Sequence, residues 1–595
     1  MIAIGVRSRR AAANAGLLAV LGAALCVGLA AWARVSKSGV YDASYTWLSL
    51  TLSFQGAVAF QSYSPAVLLR INHLNLVLAG AELAVAGMVV IWSRVGARGE
   101  PSLARYYGNQ VLLLMAALGV VLSSDLASLF AFWGIAAIAS YLLLAHNWSD
   151  EEASRGARLA LAIPLLGDLS LLAGIAILWS RYAQLGLDQL IPILNTTPGA
   201  GPRALLVACV LIFCGAGVRL GLFPFQAWLT GTGASPAGAV AAVQGAWPVM
   251  VAALMYKVLP ILVSSHFAHG AALRVVAFGA VVSAAGLPLL ALTGQDARRA
   301  ATAAAGGVSA LGMLAFARPS TVGLAALVLA ASGPGRAALL LGVGGLVNAM
   351  RTPLLGEMGE AWRRLRYTMA GLLIASAALV AAPGQAGAQG VKWWWAAAYA
   401  VCIVLAGLAL GRLLFGAGLG VLVRRRGFDP ARVREVADVM YAPAGLLALA
   451  AAALSLATFS TRILTFVDSQ GHHHPAALST AAFLAAGLGG LLLGYLVFGP
   501  ARAFGAVLTG RLSLLWGFLV FYGALFGERY LVQPLVRIVD MSDQVLLDGG
   551  EAALGQELGA SAAVARRRLP LLPIVLGAVF VLVIAGVLLA PGVYR

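Results

Sequence analysis

The sequence predicts an all-α polytopic membrane protein of about 15–16 transmembrane helices, by the length a bilayer requires. Three observations predict it. Apolar residues make up 61% of the 595 positions, against roughly 45–50% in ordinary globular chains. Charged residues make up only 10%, too few for a soluble surface. Mean hydropathy is +0.91, and the apolar residues are gathered in runs of bilayer-crossing length.

The first run, 14–33, follows Arg7, Arg9 and Arg10. Ala31-Trp32-Ala33 is a passable signal-peptidase site, but the run is long for a signal peptide. It is expected to be a retained helix that starts in the cytoplasm. Further runs lie near 70–93, 107–123, 126–145, 159–180, 204–222, 236–258, 272–293, 303–317 and 321–350. The last is long enough to be read as two helices. Then come 367–382, 395–416, 441–460, 478–498, 507–526 and 570–590. Between 527 and 565 the texture changes. Leu531, Leu535, Ile538, Val539, Val545 and Leu546 recur at helical spacing among Glu528, Arg529, Asp540, Asp543 and Glu551. This reads as a lateral amphipathic helix on the membrane surface or on partner subunits. If continuous it is about 57 Å long.

The chain therefore divides into 1–69, an N-terminal helix and external loop; 70–260 and 261–440, two halves; 441–526, C-terminal spans; 527–565, the lateral helix; and 566–595, a final anchor. Arg566-Arg567-Arg568 belongs in the cytoplasm by the positive-inside rule, which places the C-terminus in the periplasm. A bacterial inner membrane is expected.

The net charge is +18, with 40 Lys+Arg. In a soluble chain that balance suggests nucleic acid. Here it sits in short loops and orients helices, and lipids rather than nucleic acid are the expected surroundings. Only Lys37, Lys257 and Lys392 are lysines; the other basic residues are arginine. Cys26, Cys209, Cys214 and Cys402 lie in apolar runs without CxxC or His/Cys ligand spacing. No iron–sulfur or zinc site is encoded by them, and no cofactor or metal is expected in this chain. His472-His473-His474 lies between spans without acidic neighbours and reads as solvated. Trp393-Trp394-Trp395 reads as an interface belt.

Two spans carry helix breakers at membrane depth: 215–228, with Gly221 and Pro224, and 382–390, with Pro383 and Gly384. Backbone freed by proline survives there only where protein or water satisfies it. Breaks at corresponding places in two halves predict inverted repeats.

Several motifs now resemble a known family. They are Asp125-Leu126-Ala127-Ser128-Leu129-Phe130-Ala131-Phe132-Trp133, then Ser140-Tyr141, then Gly167-Asp168; Phe223-Pro224-Phe225-Gln226-Ala227-Trp228-Leu229 with Ser235-Pro236; and Gln295-Asp296-Ala297-Arg298-Arg299 with Ser309-Ala310-Leu311-Gly312-Met313. In this order they resemble the antiporter-like membrane subunits of respiratory complex I, relatives of the Mrp cation/proton antiporters. The lateral helix with a final span resembles the L-type, most distal, member. The resemblance implies that quinone reduction elsewhere in the assembly drives proton transfer along a Glu–Lys pair and further lysines in the middle of the membrane. A lysine in such a site loses its proton readily.

This sequence departs from that pattern. Gly134 stands where the family's glutamate follows Phe-Trp. Arg219 replaces the lysine before Phe-Pro-Phe, Leu159 the lysine before Gly-Asp, and Gln226 a histidine. Ala242 to Gln244 occupies the place of a second histidine. In the second half Ser332 and Arg336 replace a histidine and a lysine. Arginine keeps its charge in proteins, so the usual proton route is expected to be disabled or rerouted. Lys392, Lys257, Glu82 and Asp168 remain as the candidate proton path. Arg412 also lies at depth.

The expected function is an L-type membrane-arm subunit of a complex I-like NADH, or other donor, quinone oxidoreductase, with an altered or disabled proton channel and a scaffold role. It is a translocase subunit without redox chemistry of its own. The other reading is an antiporter-like partner in an inorganic-carbon uptake system or in an Mrp- or hydrogenase-type complex. The C-terminal tail favours the first.

Overall fold

The computed structural model describes residues 9–36, 41–46, 66–100, 102–182, 184–196, 202–264, 269–318, 322–387, 393–420, 433–460 and 477–499, with a few isolated positions up to 512. Among the described residues, 13 helices are long and apolar enough to cross a membrane. The chain is an all-α polytopic membrane protein. Its short non-helical feature is an antiparallel ribbon of β1 (Tyr41–Thr46) and β2 (Ala66–Ile71) between α1 (Arg9–Ser36) and α2 (His73–Gly96). The lateral helix expected over 527–565, the anchor 566–595, most of the run 507–526, Lys392 and His472–His474 lie outside the described residues.

Ten long helices form the body. The first five are α3 (Leu103–Leu122), α4 (Leu126–Leu144), α5 (Glu151–Tyr182), α7 (Pro202–Leu220) and α9 (Ala237–Ser264). The second five are α10 (His269–Thr293), α11 (Ala297–Ala315), α12 (Val322–Met350), α14 (Arg366–Gly387) and α15 (Trp393–Leu419). Short α6 (Leu187–Thr196), α8 (Ala227–Gly231) and α13 (Ala361–Arg364) connect them. Helices α16 (Asp438–Ala457) and α17 (Ala477–Phe498) follow.

The two sets repeat one design. Asp125 caps α4, its carboxylate accepting the Ser128 N–H at 2.9 Å; Asp296 caps α11, accepting those of Arg298 and Arg299 at 2.7 and 3.1 Å. Beside Asp125 the chain pairs with the segment after α5, through Leu126 N–H to Leu185 O at 3.1 Å and Leu187 N–H to Ser124 O at 3.2 Å. Beside Asp296 it pairs with the segment after α12, through Ala297 N–H to Pro353 O and Leu355 N–H to Gln295 O, both 2.8 Å. The last helix of each set returns a cation to the end of the first. Lys257 of α9 donates to Val120 O and Val121 O at 2.7 and 2.8 Å, and Arg412 of α15 to Ala291 O and Gly294 O at 2.8 and 2.6 Å. Five crossings per set is an odd number, so the second set is inverted relative to the first.

Two details of the sequence reading change. The run 321–350 is one helix, α12, not two. It is buried along almost its whole length by protein, so bilayer thickness does not limit its apolar length as it does for a lipid-facing span. Its Pro334 stays inside the helix. In the second expected break, α14 continues through Pro383 to Gly387; the remainder lies outside the described residues. The first break is present. α7 stops at Leu220, Gly221 takes φ +72°, a backbone that glycine adopts without strain, and α8 resumes at Ala227.

Candidate functional site

Close crossing of α5 and α7 builds the centre of the first half. A Cβ on Gly215 would stand 2.7 Å from Gly167 O, and one on Gly167 2.7 Å from the Val218 Cβ. With hydrogen at both positions the backbones meet and bring Asp168 to Arg219. The guanidinium grips the carboxylate with two groups: Nε donates to Oδ1 at 2.8 Å, and a terminal nitrogen pairs with Oδ2. Trp133 Nε1 donates to the same Oδ1 at 2.8 Å. The guanidinium carbon lies 4.2 Å from the Trp247 ring, and the Trp133 and Trp247 rings meet edge to face at 4.9 Å. Trp247 Nε1 donates to Ser140 Oγ at 3.2 Å. Both charged side chains are 3% exposed.

Gly134 follows Trp133 and is buried inside α4, so the acid that meets the basic residue comes from α5 rather than α4. Leu159 packs near Gly231 at the end of α8, 3.3 Å from the place of a Cβ there. Gln226 precedes α8 without capping it, and its Oε1 is buried without a hydrogen-bond partner.

The second half holds a cation with a neutral coat. Arg336 of α12 is 1% exposed. Its terminal nitrogens donate to Ser309 Oγ at 3.1 Å and Gln244 Oε1 at 3.4 Å, and its Nε has no partner. Ser332 and Ser309 hydroxyls lie 3.0 Å apart. Gln244 Nε2 donates on to Thr232 Oγ1 at 2.8 Å. Among the described residues no carboxylate pairs with Arg336.

Of the residues singled out in the sequence, Asp168 and Arg219 are thus brought together, as are Ser332 and Arg336. Lys257 stands apart at the end of α3, and Arg412 holds the equivalent place on α10. Glu82 lies on α2, away from the pair, with its Oε1 buried and unpartnered. Sequence reading missed Trp133 and Trp247 as the clasp around the ion pair; their signal is only spacing, Trp133 one residue before the vacant acid position.

This arrangement fixes charge. A bidentate arginine–carboxylate pair is geometrically specific and strong, and arginine does not surrender its proton. Neither Arg219 nor Arg336 can alternate between charged and neutral forms as a lysine can.

Residues 123–416 match the transmembrane family described as NADH:quinone oxidoreductase/Mrp antiporter. Subunit L of the NADH-quinone oxidoreductase of Mycobacterium tuberculosis is 24% identical over 520 residues, covering 82% of this chain and 80% of that protein. One Na(+)/H(+) antiporter subunit of Alkalihalophilus pseudofirmus is 27% identical over 160 residues, covering 27% of this chain and 20% of that protein. A chain of the Mrp complex from Dietzia sp. DQ12-45-1b shares the fold with a TM-score of 0.64 at 18% identity, over 91% of this chain. The chain spans about three fifths of that Mrp chain, 61%. The matched segment holds both the Asp125 cap and the Arg412 cap, and the chain is an antiporter-like multi-pass membrane protein similar to the NADH:quinone oxidoreductase/Mrp antiporter family.

Proposed function

We propose that this chain is the L-type membrane-arm subunit of a complex I-like quinone oxidoreductase in a bacterial cytoplasmic membrane. Its central charge axis is locked, and its main role there is to hold neighbouring subunits and to respond electrostatically rather than to conduct protons through the family's usual lysines. The observation that carries the reading is the Asp168–Arg219 pair. The family places an alternating lysine at that position; here a permanent cation is held by two contacts and stacked on Trp247. Redox groups belong to other subunits, and the segment 527–565 is the element that reaches them.

Orientation follows from alternating crossings. The helix ends that carry Arg94, Arg98, Arg155, Arg158, Arg298, Arg299, Arg363 and Arg364 fall on one side. By the positive-inside rule that side is the cytoplasm, which places the start of α1 there too.

The test is affinity purification of the tagged full chain from its native membrane, followed by mass spectrometry. Co-purification of quinone-site and further antiporter-like subunits supports the reading. Partners of a cation-antiport complex alone, with no redox subunits, replace it with the Mrp-type reading, which the likeness to the Na(+)/H(+) antiporter protein favours. Proteoliposomes then separate the mechanisms. Arg219→Ala should cut assembly of the complex several-fold and leave proton transport per assembled complex unchanged. A fall in transport per complex would mean that the pair conducts.

A further inference from the structure

Outside the locked axis, one set of buried polar groups is left without a task. It lies between α2, α3 and α9. Glu82 sits on α2, and Ser93 follows it three turns later on the same face, about 16 Å further along at 1.5 Å per residue. On α3, Tyr106 and Gln110 are one turn apart and face this stripe. Ser93 Oγ and Tyr106 Oη are 3.2 Å apart, and Gln110 Nε2 lies 3.5 Å from Ser93 Oγ. At the inner end Glu82 and Gln110 are the polar groups lining a small cavity whose other walls are aliphatic, among them Val85, Leu113, Ala242 and Ala246. Glu82 Oε1 and Gln110 Oε1 are both buried without hydrogen-bond partners. Glu82 is 2% exposed and Gln110 4%.

Two buried acceptors facing one cavity require a donor. The cavity offers about 20 Å³, and one water needs about 10–15 Å³ together with at least two polar partners. That volume holds one water, and a water has two hydrogens for two acceptors. The helix opposite is trimmed to let the outer part of the file form. A Cβ on Gly238 of α9 would stand 2.5 Å from Tyr106 Oη and 2.7 Å from Ser93 Oγ.

We propose that this file is a proton entrance to Glu82, leading in from the Arg94–Arg105 end of α2 and α3, and that Glu82 takes over the proton-binding role vacated at Gly134. The carrier is water: a hydronium that comes in past the Ser93 and Tyr106 hydroxyls gives its proton to the Glu82 carboxylate and leaves as water, while Gln110, whose amide does not relay protons, only orients it. No electron moves. The other elements packed on α2 bring few ionisable groups. Asn14 of α1 accepts from Arg94 at the outer end; α12 carries Arg336, engaged with Ser309 and Gln244; α16 carries Asp438 and Tyr441 in its first turn; α3 also carries Arg105 and Tyr107; and α9 carries Lys257, engaged with α3. The cavity lining itself holds one ionisable group, Glu82. Calling the entrance cytoplasmic rests on the orientation proposed above; the file itself does not.

The test is infrared difference spectroscopy of the purified full chain in lipid nanodiscs, following the carbonyl stretch of protonated carboxyls after transfer to D2O at several pH values. The expected result is a pH-dependent band that shifts on deuteration and is lost in Glu82→Gln. In Gly238→Ala, and separately in Tyr106→Phe with Ser93→Ala, the band keeps its amplitude but its deuterium shift slows by at least an order of magnitude. A spectrum unchanged by Glu82→Gln overturns the proposal, as does exchange at the wild-type rate in both file variants. The readout needs no partner protein, so a parent complex of another kind leaves this result standing.

Discussion

At the residue scale, Asp168 and Arg219 illustrate how a buried charge can be kept yet made inert. Taking both groups out of water is costly, and removing one partner leaves the other stranded, typically at about 3–5 kcal/mol. Asp168→Asn should therefore lower folded yield and thermal midpoint in detergent strongly. The double variant Asp168→Leu with Arg219→Met should recover much of that loss, since replacing a whole buried pair by apolar residues is often neutral. Equal damage in the single and double variants would mean that the pair contributes more than mutual neutralisation. Arg219→Lys tests the fork and the stacking: it keeps the charge but loses the two-pronged grip and the planar contact with Trp247, and the expected thermal midpoint lies between wild type and Asp168→Asn. The sequence made the vacancy at Gly134 and the lysine-to-arginine change at 219 plain. It did not reveal that Asp168, 51 positions earlier, supplies the counter-charge, because the meeting depends on the glycine contact between α5 and α7, a property of two backbones in space. Glu82 was visible as an acid at depth; its partners in the file were not, since serine, tyrosine and glutamine in apolar helices carry no sequence mark of their own.

At the element scale, the repeat is held by its ends. Lys257 and Arg412 deliver a positive charge to the carbonyl end of α3 and of α10, where the helix dipole favours it by about 0.3–1 kcal/mol and by up to ~2 kcal/mol when partly buried. Lys257→Met and Arg412→Met are each expected to destabilise by about 1–2 kcal/mol on that basis, with additive effects in the double variant because the two caps lie on opposite sides of the molecule. Lys257→Arg should retain most of the stability. A coupling between the two sites larger than about 0.5 kcal/mol would argue against independent caps. The C-terminal helices use another device. On α15, Gly407 and Gly411 are spaced one turn apart, as are Gly490 and Gly494 on α17. A Cβ on Gly490 would stand 2.5 Å from Val404 O and one on Gly411 2.8 Å from Gly494 Cα. Small residues at that spacing let membrane helices approach backbone to backbone. Gly490→Leu should separate the pair and reduce folded yield, while Gly489→Leu, with open space around it, should not. Hydropathy located almost every one of these helices. It misread 321–350 because a fixed crossing length applies to helices in lipid, and α12 is surrounded by other helices instead.

At the scale of the whole molecule, the inverted repeat makes equivalent positions face opposite compartments. The segment at Gly186 pairs with Asp125 as the segment at Leu354 pairs with Asp296, so these two neighbourhoods correspond. Gln189 and Leu354 are both exposed there. In a background with Cys26 and Cys214 replaced by serine, an impermeant thiol reagent should label Gln189→Cys in intact spheroplasts, whereas Leu354→Cys should label only after permeabilisation. Ser149→Cys, in the loop joining α4 to α5, should behave like Leu354→Cys. Labelling of Gln189 and Leu354 from the same side would refute the inversion, because five crossings cannot separate equivalent positions that share a face. Labelling from opposite sides with the compartments exchanged would keep the repeat but reverse the orientation drawn from the arginines. It would turn the Ser93–Tyr106 end of the Glu82 file toward the periplasm, making a proton entrance from the cytoplasm into an exit.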